Sequence, residues 1–360
     1  MTKTVIGNEH ALNEMNDNQK MQVARLIGLS KVVVDYDTVP NLLPNEVLIK
    51  VEAVGICGSD IHYYQHGHIG KRQVQYPHIQ GHECSGVIVQ IGDQVTRFKI
   101  GDRVTVEPGT PCRTCENCRS GKYNLCDEVI FLSTPPHKGT LRQYISQPED
   151  FVFPIPDSLS FEEATLAEPL SVAIHALNRA KLQPGMKVLI TGMGPVGLMT
   201  VCAANYFNAD EIIVTDMLSN KLEVAKKLGA TGTVQVPNGE IKVNYFDVVV
   251  ETSGSKHAIE NGILALKKGG KLVSIGFPQG EVPLDLTLML QKEIDLLTVY
   301  RYVNAFPLSI KVLNEMKEVL GEVITSTYPL EEISNAMETA SNASSGTIKV
   351  IVYPNVNKSI

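Results

Sequence analysis

No cluster of lysine and arginine occurs anywhere in the 360 residues, and the 32 basic and 39 acidic side chains leave a net charge of −7. A nucleic-acid partner or an anionic membrane surface is therefore not expected. An apolar signal-peptide core is also missing. The first twenty residues carry Lys3, Glu9, Glu14, Asp17 and Lys20, and their acidic members speak against a transit peptide. They read as a poorly ordered extension ahead of a first strand at roughly Gln22–Leu26. Only Val188–Ala209 is uncharged over membrane-spanning length, and Gly192, Gly194, Pro195 and Gly197 break it into a strand, a turn and a buried helix. Internal repeats and low-complexity segments are lacking too. The seven cysteines are odd in number, and four fall within fifteen residues. Without a secretion signal, metal binding is a better reading than a disulfide framework. The cytoplasm is the expected compartment.

A chain of 360 residues exceeds the roughly 250–300 at which one core stops growing, so two domains are expected. The first half reads as strands and turns. Glu46–Val54 alternates, with Val47, Ile49, Val51 and Ala53 on one face and Lys50 and Glu52 on the other. Gly86–Ile91 and Asp102–Val106 repeat the pattern between Gly-Asp turns, which suggests an antiparallel, barrel-like domain. Ser160 and Glu163 form a capping-box signature. From Lys187 short apolar strands, Val188–Thr191, Ile212–Thr215, Phe246–Glu251 and Lys271–Ile275, alternate with helical patterns such as Asn220–Leu228 and Lys256–Leu266. That order is the layout of a doubly wound α/β sheet. The last sixty residues lose this rhythm and are expected to rejoin the first domain.

Gly192-Met-Gly194-Pro195-Val196-Gly197 follows a strand and opens a helix, and Asp216 ends the next strand nineteen residues after Gly197. In that context the glycines allow a tight turn, close approach to a pyrophosphate and close helix packing, with the phosphates at the helix N-terminus. A carboxylate at Asp216 accepts from a ribose 2′-OH and repels a 2′-phosphate, so NAD is favoured over NADP. Lys221 is grouped with these cofactor-binding residues, although an exposed helical position also explains it.

Cys112-x2-Cys115-x2-Cys118-x7-Cys126 supplies four thiolates, which close a tetrahedral zinc and leave no place for water. The site is expected to be structural, folding a loop with part of the ~10–16 kcal/mol that such sites release. Cys57, His82 and Glu83 offer one sulfur, one nitrogen and one oxygen, leaving a fourth position open as catalytic zinc requires. Glu168 lies just before the dinucleotide-binding half. His62, His66 and His68 read as a solvated loop, His175 as a satisfied core histidine, His78 as a turn-shaping residue, and Cys84 and Cys202 as packing.

The run Gly81-His82-Glu83-x2-Gly86-x5-Gly92-x2-Val95 resembles the signature of the medium-chain zinc-dependent alcohol dehydrogenases. Gly55-Ile-Cys57-Gly-Ser59-Asp60-Ile-His62-Tyr63-Tyr, Phe131 with Thr134-Pro-Pro, Glu168-Pro-Leu-Ser-Val-Ala-Ile-His175-Ala and Tyr300-Arg301-Tyr302 resemble its sorbitol/xylitol (polyol) dehydrogenase branch. The likeness runs from about residue 22 to about 350. It implies a GroES-like catalytic domain over residues 1–170, a Rossmann domain over 171–298, and a segment over 299–360 returning to the first.

It also implies a catalytic zinc on Cys57, His82 and Glu83, with Glu168 bonded through water or as an alternative ligand, and Ser59 or Glu168 relaying a proton. Ser59, Tyr63, Phe131, Thr134, Glu168, Arg301 and Tyr302 would surround a polyol substrate. A tetramer is implied, with a dimer as the other assembly. Rival activities are a threonine-type, simple alcohol or sugar-alcohol-phosphate dehydrogenase, or a non-catalytic zinc- and NAD-binding protein. The four-cysteine lobe is complete here, whereas some animal sorbitol dehydrogenases have lost it, and the N-terminal extension has no counterpart in the pattern.

Overall fold

The computed structural model describes residues 19–278, 280–342 and 346–355. The expected N-terminal extension lies outside them, apart from the last residues before the first strand. Two sheets organise the chain. The first has seven strands in the order Val152–Pro154, Arg103–Val106, Glu83–Ile91, Glu46–Gly55, Lys349–Tyr353, Ile324–Pro329, with Tyr144–Pro148 also on Glu46–Gly55. The pairing is an open path, not a closed barrel, and its last two strands run parallel while the rest are antiparallel. Glu46–Gly55 buries both the alternating apolar set and its neighbour Leu48, because it is central and covered on both sides. An antiparallel hairpin, Lys20–Gly28 with Lys31–Thr38, packs alongside.

The second sheet has six parallel strands in the order Gly232–Gln235, Glu211–Asp216, Lys187–Thr191, Phe246–Glu251, Leu266–Ser274, Asp295–Thr298. Counted along the chain this is 3-2-1-4-5-6, the doubly wound order, with its crevice between the first and fourth strands. Its central strands are almost wholly buried, as strands covered by helices on both faces must be. The strand expected at Lys271–Ile275 starts five residues earlier, at Leu266.

Ser160 and Glu163 close their capping box around Phe161–Ala164. The helix Ala167–Ala180 then carries the chain from the first sheet to the second. The closing segment divides its packing. Helix Phe306–Leu320 joins the core built on the parallel strands, whereas Ile324–Pro329 and Lys349–Tyr353 lie in the first sheet. Among the described residues no helix is long and apolar enough to cross a membrane.

Candidate active site

Cys57 caps the N-terminus of helix Gly58–His66, and Glu83 opens its strand opposite Gly55. His82 stands beside Glu83 in the loop after Gly81, whose φ of +90° suits only glycine there. Folding thus brings Cys57, His82 and Glu83 together, with one ligand atom from each lying within 4.8 Å of the others. The space is made by Gly55, since a Cβ there would stand 2.4 Å from Glu83 Oε2.

Glu83 is wholly buried and its Oε2 accepts from Lys349 Nζ at 2.5 Å. Glu83 Oε1 and His82 Nδ1 are buried with no hydrogen-bond partner among the described residues. A buried carboxylate oxygen without a partner, converging with a thiol and an imidazole, is what a thiophilic, imidazole-binding cation such as zinc would satisfy.

Asp60 was not singled out as a ligand-orienting residue by spacing, yet it organises this centre. Its carboxylate is buried, accepts from Cys57 N–H (3.1 Å), Gly81 N–H (3.1 Å) and Ser133 Oγ–H (2.8 Å), and lies 3.7 Å from His82 Nδ1. Burial works to raise its pKa, but His82 and these donors hold it below the ordinary value. For His82 burial opposes charge, yet Asp60 and Cys57 hold its pKa well above the usual one. At 3.7 Å the Asp60 carboxylate is a charged neighbour of the imidazole, not a hydrogen-bond acceptor from it.

Glu168, on helix Ala167–Ala180, is buried and stands outside the group of Cys57, His82 and Glu83. Burial, with the Glu83 charge adding to it against the pull of His82, pushes its pKa up to about 7. Tyr302 lies beside it, 2% exposed, with its hydroxyl not closed into a hydrogen bond of ordinary geometry. Phe131 sets its ring 5.7 Å from His82, and the Arg301 guanidinium stacks 4.0 Å from the Phe131 centroid. Tyr63 is buried, while Ser59 and Thr134 are half-buried.

A buried acid that sequence reasoning missed is Glu107. It accepts from Tyr123 Oη at 2.7 Å, and Tyr123 Oη accepts in turn from Asn304 N–H at 2.7 Å. Asn124 Nδ2 donates to Tyr300 O at 2.7 Å. The four-cysteine lobe thereby grips the loop that carries Arg301 and Tyr302, where Arg301 and Asn304 adopt φ of 56° and 51°. Burial pushes the Glu107 pKa up to about 7, so the folded chain holds a proton that the unfolded chain, with a pKa of ~4.3, has released. Its contribution is whole below pH ~4.3 and is lost as pH rises to about 7, at no more than ~1.4 kcal/mol per pH unit. Glu107→Gln is expected to flatten that slope, read from urea midpoints between pH 5 and 8.

Cys112, Cys115, Cys118 and Cys126 cluster within 4.8 Å. Backbone N–H groups point at their sulfurs, as Cys115 N–H does at Cys112 Sγ (3.4 Å), and those of Thr114 and Cys115 bring the Cys112 thiol down to about 6. The Cys115 and Cys118 sulfurs lie 3.4 Å apart, far beyond a disulfide bond, and all four cysteines are free. Four closely set sulfurs with a thiolate-favouring backbone fit a closed zinc site.

In the second half Gly192 has φ +87°, and a Cβ on Gly197 would stand 1.8 Å from Gly192 O, while the Gly194 position faces open space. Gly194 caps helix Pro195–Tyr206 with Pro195 and Val196 in its first turn. Asp216 ties the loop to its strand by accepting from Met193 N–H (2.6 Å) and Leu218 N–H (2.9 Å). Lys221 is half-buried on helix Ser219–Lys227.

Two of the simpler readings are corrected. His62 and His66 lie on helix Gly58–His66, not in a loop, with rings 4.7 Å apart and His62 Nδ1 3.1 Å from His68 O. His175 is half-buried and its Nε2 lacks a partner among the described residues, so it is not a satisfied core histidine. His78 bonds Ser133 O through Nε2. Cys84 and Cys202 are buried, and burial pushes both thiols up to about 12.

Residues 43–157 match the family described as alcohol dehydrogenase GroES-like domain, and residues 195–315 the family described as zinc-binding dehydrogenase. The chain belongs to the zinc-dependent alcohol dehydrogenase family, and zinc and a nicotinamide dinucleotide are its cofactors. Within that family its likeness is to the polyol branch. It is 46% identical to a sorbitol dehydrogenase of Bacillus subtilis, covering 94% of this chain and 98% of that one. To D-xylulose reductase A of Aspergillus oryzae it is 38% identical, covering 86% and 91%. The solved L-idonate 5-dehydrogenase of Escherichia coli superposes with a TM-score of 0.87 at 27% identity, covering 93% and 98%.

Proposed function

We propose that this enzyme oxidises free sugar alcohols of the sorbitol and xylitol type at C2, giving the ketose and NADH. The observation that carries the reading is the convergence of Cys57, His82 and Glu83, with unsatisfied atoms on His82 and Glu83, beside a pocket of polar groups. Those three residues would hold the catalytic metal, and Cys112, Cys115, Cys118 and Cys126 the structural one. Bound zinc supplies a Lewis acid that draws a hydroxyl pKa toward neutrality, and bound NAD the hydride acceptor.

The chain's own residues do the rest. Asp60 sets a buried negative charge 3.7 Å from the His82 ring. Glu168, with a pKa of about 7, is poised to take the hydroxyl proton near neutrality, with Ser59 as the short relay at the helix start. Phe131 and Tyr63 shield the reacting carbon from bulk water. Tyr302, Thr134 and Arg301 offer partners for several hydroxyls, and a simple alcohol would leave those buried groups unpaired.

The Gly192–Gly197 turn with Pro195 and Val196 would carry the pyrophosphate, and Asp216 the ribose, with Lys221 at its edge. Asp216→Ser is expected to raise the ratio of kcat/KM for NADP over NAD by roughly tenfold or more, since it removes a carboxylate that meets the 2′-phosphate.

The working boundaries are 1–170 for the catalytic domain, 171–298 for the dinucleotide domain and 299–360 for the returning segment. The edge strand Asp295–Thr298 exposes Leu296, and the helix before it exposes Leu286 and Leu290 at 63% and 82%. An unpaired edge flanked by apolar side chains supports a homo-oligomer, a tetramer or a dimer. Localisation is cytoplasmic in this reading.

The test follows NADH absorbance with xylitol, sorbitol, galactitol, threonine and ethanol in the presence of zinc. Turnover of free polyols with NAD supports the assignment. Turnover of threonine or ethanol alone would overturn it while leaving the dehydrogenase chemistry in place.

A further inference from the structure

His62, His66 and His68 take no part in the catalytic arrangement. Helix Gly58–His66 places His62 and His66 one turn apart, at i and i+4 on the same face. On a helix, that spacing is the one that gathers two imidazoles on a single ion. Their ring centroids lie 4.7 Å apart, with the planes inclined at 62°. Two imidazoles bound to one ion at ~2.0–2.1 Å stand with centres roughly 4.5–5.2 Å apart, as the angle at the metal opens from a right angle to tetrahedral. The pair is therefore already spaced for a shared ion.

The backbone fixes which nitrogen of His62 is offered. The helix ends at Gly67, with φ of 73°, whose N–H donates to Tyr63 O at 2.9 Å. The chain then doubles back, and His68 O comes within 3.1 Å of His62 Nδ1. A carbonyl only accepts, so Nδ1 carries the hydrogen and the neutral ring keeps its lone pair on Nε2. An imidazole anchored to a backbone oxygen through one nitrogen and bare at the other is the arrangement of metal-ligating histidines. His66 is the last residue of the helix, where the dipole favours a cation. His62 is half-buried and His66 exposed, and no carboxylate pairs with either ring among the described residues.

We propose that His62 and His66 form a third metal site, for an exchangeable divalent transition ion of the zinc, nickel and copper class. His62 Nε2 and a ring nitrogen of His66 are its protein ligands, and water fills the remaining positions. The site lies on the helix that Cys57 caps, at the opposite end from the catalytic centre. It does not depend on which alcohol the enzyme oxidises.

In the test, zinc-loaded full-length enzyme freed of excess metal is titrated with nickel(II) by calorimetry, beside His62→Ala, His66→Ala and His68→Ala. Wild type is expected to take up one nickel ion per chain that depends on both rings, with its zinc content unchanged. His62→Ala and His66→Ala should each weaken that uptake by at least ~10-fold, since losing even a supporting hydrogen bond costs a metal site that much. His68→Ala should stay within about threefold, because its carbonyl and not its ring serves the site. Manganese(II), at the weak end of the divalent series, should bind far less tightly. Circular dichroism checks that the variants are folded.

No nickel uptake by wild type, or uptake that survives both His62→Ala and His66→Ala, would overturn the site. Zinc released in step with nickel would place the ion on the cysteine ligands and overturn it too. Loss on His68→Ala alone would move the ion to that ring and end the pairing of His62 with His66. Manganese bound as tightly as nickel would point to surface carboxylates instead.

Discussion

Replacing Cys57 by alanine is expected to lower kcat with every polyol by at least ~10³-fold while leaving the dissociation constant for NADH within about twofold. In the proposed ligand set Cys57 contributes the one sulfur, and His82 with Glu83 would not complete a zinc site alone. A Lewis acid supplies several kcal/mol of charge stabilisation, and each 1.36 kcal/mol is tenfold in rate. The fold should tolerate the change. Glu83 keeps Lys349 as its counter-charge, Asp60 keeps its bonds from Gly81 and Ser133, and Cys57 itself is only half-buried. The nucleotide turn belongs to the other sheet and is untouched. Zinc analysis should show one metal fewer per chain, with unchanged circular dichroism. A variant that kept its zinc and its rate would remove Cys57 from the catalytic centre.

The second large effect is on stability. Cys118→Ser is expected to release the other zinc and to lower Tm by on the order of 10 °C. Helix Glu116–Arg119 buries none of its residues, so no apolar core of its own holds the lobe together. Losing a structural metal ranks among the largest single-site losses, and each kcal/mol moves Tm by about 2–4 °C in chains of 150–250 residues. The damage should also reach the substrate. Tyr123 and Asn124 are part of the same lobe, and they hold Asn304 and Tyr300 on either side of Arg301 and Tyr302. The KM for sorbitol should therefore rise more than the KM for NAD. Calorimetry with parallel kinetics separates the two consequences. A Tm within 2 °C of wild type would mean that the lobe folds without its metal.

The dinucleotide half was largely legible in the sequence because parallel strands covered on both faces are continuous apolar runs. Phe246–Glu251 has the bounds expected of it, and the helices Ser219–Lys227 and Lys256–Ala265 fall within a residue of theirs. The strands that escaped notice are the two edges. Gly232–Gln235 and Asp295–Thr298 are short and bury none of their residues fully, so neither carries the continuous apolar run of the central strands.

The Cys57–His82–Glu83 group and the four cysteines were legible in the sequence, and the side chains packed around them were less so. Asp60 left a local trace, a carboxylate three residues after Cys57 that caps the same helix. Lys349 left none, being 266 residues from the carboxylate it neutralises. Glu107 and Tyr123 likewise meet only through the path of the lobe.

Lys349 also imposes an order on how the enzyme comes into being. Its strand, Lys349–Tyr353, is laid against Glu46–Gly55, so a segment made late completes a sheet begun much earlier in the sequence. Until then Glu83 lacks Lys349, the side chain with which it forms its ion pair. Domains tend to fold as they emerge, and the nucleotide-binding half lies wholly between these two pieces. It can therefore be finished while the catalytic half is still open, and a nascent chain would acquire its grip on NAD before its capacity for chemistry.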